Sequence, residues 1–535
     1  MSNKTSNITY AQQGVYIDCV MDPENLRYNN PYIVSFPAGI TPQAVFNATK
    51  KTLECHPALF SHFEDRDGEI KQVYADTCSA NVKITETDDA QLAAIKAAFV
   101  KVFDIEHGPL YRAEVVATPS GVSLLIDFHH LVFDGASLNI MLNEICAAIE
   151  GTDPAPEQHT YAAFADAQKA DTTNHGSTKL TNHKSYFDNM LNGVTPTKLS
   201  GDKSESQSLS SVEGHAEHVQ FVSTPDVMTK AKALGTAPSA LFMAAAFYTL
   251  SRYTNTKELC MTTISNGRSN PLTQGCVGMF VNTLPLVCKV EDVSVSTFIH
   301  GIRDMFLATR QHEEYPFSAI ANDYGIEQHV RFTYQYGTFG NRFYVNGEVV
   351  KAEGLRINSH TFPFTITISQ TDDKPAITIN YDTAKYSADF ISRFAESMDA
   401  VVARFIANPE DKLIKTSIMS ERQETEVSAL RHTCIDKDAV RFTLFHESLE
   451  YWAEQTPDAT AVIACNETLT YRQFNVNGVV KGFKEGILAM KEGGKAILTM
   501  PSDLAYGDRG AGANIPGGAT LVFEVDLLKV IPAGK

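Results

Sequence analysis

The run GVSLLIDFHHLVFDGASL at 121–138 constrains the fold of this chain more than any other stretch. Val122 to Phe128 is dense in β-branched and apolar residues and predicts a strand, after which Asp134-Gly135 predicts a turn into a helix. Leu138, Met141, Leu142, Ile145, Cys146 and Ile149 recur on one helical face, and Gly151 stands where such a helix stops. If the strand geometry persists to its end, its period of two sends His129 and His130 to opposite faces, so that one is buried while the other meets a substrate.

A chain of 535 residues is too long for one ordinary core and predicts two or three domains. The formal net charge of -18 argues against a nucleic-acid partner or an anionic membrane surface. The nine cysteines show no CxxC pair, which predicts reduced core thiols and a cytoplasmic location. The first residues, MSNKTSNITYAQQG, lack an apolar signal core. The most apolar segment, ALFMAAAFYTL at 240–250, is too short for a bilayer and predicts a buried helix rather than membrane insertion.

Further elements follow from local patterns. Thr41-Pro42 predicts the start of a helix reaching Cys55, and the Ala/Leu-rich stretch 90–102 predicts another. Strands are expected at 30–36, 110–117, 281–287 and 377–382, with connectors at 151–158 and 198–215.

HHLVFDG at 129–135 has the form HHxxxDG, and six other stretches accompany it in order: TYAQQGVYIDC at 9–19, ECHPALFSHF at 54–63, TYAAFADAQ at 160–168, GCVGMFVNTLPL at 275–286, QHEEYPFSAI at 311–320 and RFTYQYG at 331–337. This series resembles the condensation domains of nonribosomal peptide synthetases, within the wider chloramphenicol acetyltransferase-like superfamily. The resemblance implies an α/β (α+β) fold of two such lobes in a V, at 1–175 and 176–415, with the active centre in a tunnel between them. It implies amide formation between a donor acyl or peptidyl thioester and the amine of an acceptor aminoacyl thioester. Both substrates would ride on phosphopantetheine arms of partner carrier proteins arriving from elsewhere, with no cofactor bound to this chain.

On the family pattern His130 is the catalytic imidazole, accepting a proton from the attacking amine or orienting it. His129 is expected as a packed core histidine, and Asp134 as a structural partner of Arg268 in TTISNGRSNP. Gly135 is expected either to leave room for the pantetheine arm or to supply a positive φ. Asn282 and Tyr315 lie in motifs near the cleft, with packing ranked above substrate contact. The histidines lack metal-ligand spacing, so no metal is expected.

Beyond residue 415 the resemblance changes. LFHESLEYWAEQTPDATAVIACNETLTYRQFN at 444–475 is similar to the opening of an adenylation domain, giving a linker and truncated start over 416–475. Residues 476–535 resemble the second half of an FKBP-type prolyl isomerase, a small β-rich piece. There Val479, Val480, Phe483, Tyr506, Ile515 and Phe523 would line an apolar prolyl pocket. The first strands of such a domain are missing, so an incomplete and inactive segment is expected. Two other functional classes are weighed: acyl transfer from soluble thioesters to a small amine or alcohol, and a non-catalytic module that binds prolyl peptides. The isolated chain is expected to be a monomer.

Overall fold

The structure, a computed structural model, describes residues 4–173, 178–203, 214–270, 273–335, 343–355, 362–371, 374–431, 445–464, 467–472, 481–490, 494–510 and 515–526. The chain divides into two units, Met1–Glu424 and Thr425–Lys535. The strands of the first unit, in chain order, are β1 (Thr5–Asn7), β2 (Asn29–Ser35), β3 (Ser61–Arg66), β4 (Glu69–Tyr74), β5 (Val82–Glu86), β6 (Tyr111–Thr118), β7 (Gly121–His129), β8 (His215–Phe221), β9 (Glu258–Ser265), β10 (Asn282–Lys289), β11 (Val330–Tyr334), β12 (Phe343–Val345), β13 (Glu348–Gly354), β14 (Phe364–Thr371) and β15 (Lys374–Asp382).

These strands build two six-stranded mixed sheets and a small three-stranded one. The first sheet has the order β12-β13-β2-β7-β6-β5, and the second β10-β9-β11-β14-β15-β8. The β6–β7 hairpin is antiparallel, with Tyr111 opposite Phe128 and Thr118 opposite Gly121. Its edge is extended by residues from much later in the chain: β13 runs antiparallel to β2, with Lys351 opposite Ser35 and Gly354 opposite Tyr32. A hairpin drawn from the 176–415 stretch thus completes the sheet of the 1–175 stretch.

Helices cover the sheets where the apolar spacing demands it. In Pro42–Glu54 the Thr41 hydroxyl accepts the Ala44 N–H at 3.2 Å, and Val45, Ala48 and Leu53 are buried. The helix expected at 90–102 runs from Asp89 to Phe99, because Val100 is already extended. Helix Gly135–Ile149 buries Leu138, Met141, Leu142, Ile145 and Cys146, and Gly151 follows it at a φ of 95°. Pro238 opens a helix to Thr254 whose residues from Ala240 to Ser251 are all buried. It is flanked by helices Val295–Arg310 and Ala388–Ala407, so an all-round apolar surface meets protein on several sides.

No single helix among the described residues is long and apolar enough to cross a membrane. The bent pair Val227–Ala233 and Pro238–Thr254 reaches that composition, but the longer member lies in the second core. Of the connector expected at 198–215, residues 204–213 lie outside the described residues.

The second unit contains helix Phe445–Gln455, a hairpin of β16 (Thr460–Ala464) with β17 (Glu467–Thr470), and helix Lys481–Leu488. Its last two strands, β18 (Lys495–Met500) and β19 (Leu521–Asp526), are antiparallel, with Met500 opposite Leu521. Leu449 and Met500 are buried within it.

Candidate active site

β7 is buried on both faces, Leu124, Ile126 and Phe128 on one and Leu125, Asp127 and His129 on the other, so the sheet carries its last residue into the interior. There the ladder ends. The His129 N–H reaches the Leu110 carbonyl at 2.9 Å, and the His130 N–H reaches the Tyr28 carbonyl at 2.7 Å. His130 then opens a single 3-10 turn to Val132, so it sits just past the strand rather than in its alternation.

His129 starts that turn by accepting the Leu131 N–H on Nδ1 at 3.2 Å. This places its own proton on Nε2, which lies 3.6 Å from the Cys19 sulfur. Its ring meets Phe103 edge-on at 5.8 Å. Burial, then the nearby charges of His130 and Arg112, push its pKa down to about 3. His129 is a neutral packed imidazole.

His130 is half-buried, with a buried Nδ1 that has no hydrogen-bond partner. Burial holds its pKa below the usual histidine range, and the Arg331 charge acts in the same direction. Asp134 and the backbone of His130 and Phe133 oppose the shift without reversing it. The ring is therefore neutral near pH 7, the form able to take a proton.

Asp134 is fully buried and caps helix Gly135–Ile149, its Oδ1 accepting the Ser137 N–H at 2.8 Å. The Arg268 guanidinium bridges both carboxylate oxygens through Nη2, at 2.9 and 3.1 Å. Nη1 donates to the Thr273 and Cys276 carbonyls at 2.6 Å each, and the guanidinium lies 4.3 Å from the centre of the Phe280 ring. Oδ2 also accepts the Phe280 N–H at 3.1 Å. One carboxylate thus ties the His130-bearing turn to the segment 268–280, which enters the second sheet as β10.

That segment passes close to helix Tyr161–Thr173. A Cβ placed on Gly278 would fall 2.1 Å from Tyr161 Cδ2, while the Tyr161 hydroxyl donates to the Met279 carbonyl at 2.7 Å. Gly278 is required by close approach. Gly135 corrects an expectation: it is the first residue of its helix and is absent from the positive-φ glycines, so the left-handed reason for it falls away. Asp134, extended at φ -135° and ψ 174°, makes the entry into the helix.

Asn282 Nδ2 donates to the Glu313 and Tyr315 carbonyls at 2.8 Å each, and its Oδ1 accepts the Thr283 N–H. Its amide is therefore engaged in holding the loop at 313–315 while it also lines a cleft with Thr9, Phe164 and Met279. Tyr315 is buried, with its ring stacked on Phe187 at 5.5 Å.

Two groups were not singled out from the sequence. Arg331 stands in β11 and bears electrostatically on His130 from the other sheet. Its signal was a lone cation within the strand VRFTY. The other group is His56, buried between Glu144 on Nε2 at 2.8 Å and Glu157 on Nδ1 at 2.7 Å. Glu157 also accepts the Val277 N–H at 2.8 Å. Nothing local links three residues so far apart in sequence.

In the second unit Phe483 and Phe523 meet edge to face with centroids 5.1 Å apart. Ile515 is half-buried and Tyr506 is 42% exposed. Val479 and Val480 lie outside the described residues.

Comparison with known proteins gives two family matches: the condensation domain over residues 2–427, and the FKBP-type peptidyl-prolyl cis-trans isomerase over residues 456–528. The second begins within the stretch expected to open an adenylation domain. Surfactin synthase subunit 1 of Bacillus subtilis is 25% identical over 504 residues, 91% of this chain and 14% of that protein. Gramicidin S synthase 2 of Aneurinibacillus migulanus is 26% identical over 486 residues, 88% of this chain and 11% of that protein. The chain spans about one-seventh or less of these relatives' length. Among solved structures, the condensation domain from the Monacolin K polyketide synthase MokA superposes with a TM-score of 0.66 at 16% identity, covering 77% of this chain and 99% of that one. The four-domain nonribosomal peptide synthetase holo-AB3403, bound to AMP and glycine, gives 0.67 at 15% identity, covering 92% and 39%. These likenesses establish the two-lobed fold.

Proposed function

The chain belongs to the condensation-domain family, whose match takes in residues 2–427, and on that premise we propose that it joins two carrier-bound thioester substrates through an amide. The acceptor's amine attacks the donor's thioester carbonyl. A C–N bond forms, the C–S bond breaks, and the proton lost by the amine ends on the departing pantetheine sulfur or its surroundings. The observation that carries this reading is a neutral His130 on a turn fixed by the buried Asp134–Arg268 pair. His130 either relays that proton or holds the amine in line with the carbonyl, so orientation between the lobes is itself a large part of catalysis.

Phosphopantetheine enters here as part of the substrates, delivered by donor and acceptor carrier proteins. The seven cysteines within the described residues are all free, which favours a reducing, cytoplasmic setting. The reading is tested by loading a donor acyl carrier and an acceptor aminoacyl carrier and measuring the new amide on the acceptor arm by intact-protein mass spectrometry. His130→Ala should lower the initial rate by about 10²–10⁴-fold, the range of general acid–base or positioning groups. Product from free coenzyme A thioesters with none from carriers would instead support a soluble acyltransferase.

A further inference from the structure

Among the described residues of the first unit, Arg112, Arg268 and Arg331 reach the interior, and the first two have carboxylates. Arg268 binds Asp134, and Arg112 binds Asp127 at 2.7 Å while lying 3.7 Å from the Phe103 ring centre. Arg331 differs. In β11 it alternates with Val330 and Phe332, both buried in the second core, and so stands on the opposite face of the sheet. Its in-register neighbours on β9 and β14 are Thr262 and Thr365, both neutral.

The guanidinium lies 3.2 Å from the centre of the Phe362 ring and donates from Nη2 to Gln328 Oε1 at 2.9 Å. Its Nε is buried and unpartnered, and no carboxylate forms an ion pair with it among the described residues. The adjoining segments 336–342 (YGTFGNR) and 356–361 (RINSHT) contain no Asp or Glu. Its charge bears on Tyr28, just before β2, and on His130, just past β7. Asp18 is engaged on the Tyr28 hydroxyl at 2.5 Å, and Asp134 on Arg268.

A desolvated cation without a counter-ion is unfavourable, so a fold that retains one at a reaction centre is completed by an anion brought from outside. Burial draws the Arg331 pKa down to about 9, which leaves it charged at neutral pH. The planar donor fork, braced on one side by an aromatic face, fits a carboxylate better than a neutral amide.

We propose that Arg331 is a specificity determinant that binds a carboxylate borne by one of the two thioester substrates, within reach of His130. This rests on the condensation reading above and adds the chemical class of the substrate. The carboxylate sits either on the acceptor, as an acidic aminoacyl side chain, or on the donor, as a dicarboxylic half-thioester.

The test uses the full chain and non-hydrolysable pantetheine amides, with dissociation constants measured by calorimetry. Acceptor-type probes are aspartyl- and glutamyl-pantetheine amides against their asparaginyl and glutaminyl isosteres. Donor-type probes are succinyl- and glutaryl-pantetheine amides against succinamoyl and glutaramoyl isosteres. In the wild type one set should show the charged probe binding at least about tenfold tighter than its isostere, the effect of a charge-assisted hydrogen bond. Arg331→Gln and Arg331→Met should bring that ratio to about one while the neutral isostere still binds, which separates lost recognition from lost folding. A charged-to-neutral ratio near one in every wild-type pair, or a preference that survives both substitutions, would overturn the proposal. Absence of binding by every probe, charged or neutral, would overturn the condensation reading along with it.

Discussion

Charge at single buried residues sets what the protein does with pH. Burial alone would lower the pKa of His56, but hydrogen bonds to Glu144 and Glu157, with their charges, outweigh it and raise the value to about 9. A histidine raised from 6.5 in the folded state stabilises fully below pH 6.5, and that stabilisation is lost as pH rises through 9. The span corresponds to about 3 kcal/mol, so urea midpoints should fall between pH 6 and 9.5, and His56→Gln should flatten that slope. His130 is shifted the other way. Its imidazole stays neutral to lower pH than an ordinary histidine, so the acid limb of kcat/KM in amide formation should lie below pH 6.5. Arg331→Gln removes one of the charges disfavouring imidazolium, and should move that limb upward.

Between elements, the critical joint is the carboxylate at the start of helix Gly135–Ile149. Asp134→Asn keeps a good capping side chain but leaves Arg268 buried without a counter-ion. A loss of about 3–5 kcal/mol is expected in equilibrium denaturation, the usual effect of breaking a buried pair from one side. Gly278→Ala should cost about 1–3 kcal/mol, because the methyl would meet the Tyr161 ring and helix Tyr161–Thr173 must shift. The elements here were legible because local chemistry specifies them: β-branched density for β7, heptad-like spacing for the helix after it, Thr-Pro for the start of Pro42–Glu54. The length of β7 was legible, but the 3-10 turn that takes His130 out of its alternation was not. That turn is set by His129 accepting the Leu131 N–H and by the Tyr28 carbonyl, neither of which is written in a local pattern. Arg331 went unnoticed for a similar reason: a cation in a strand looks like an edge or surface position until its neighbours are known.

At the scale of the whole chain, stability is unevenly spread. The first unit holds two large apolar cores, whereas in the second unit the strands β18 and β19 leave Ile497, Val522 and Phe523 exposed. Hydrogen exchange should find amides in Pro238–Thr254 protected to the level of global unfolding, and those in β18 and β19 exchanging orders of magnitude faster. Equal protection in both would show that the second unit is cooperative with the first. The pairing of β13 with β2 also governs how the molecule comes into being. A ribosome releases β2, β7, β6 and β5 long before residues 348–354, so the growing chain presents Asn29–Ser35 as a bare sheet edge for much of its synthesis. Nascent chains cut short before the hairpin would carry that sticky border permanently and recruit one another, whereas a finished chain seals it with its own later residues.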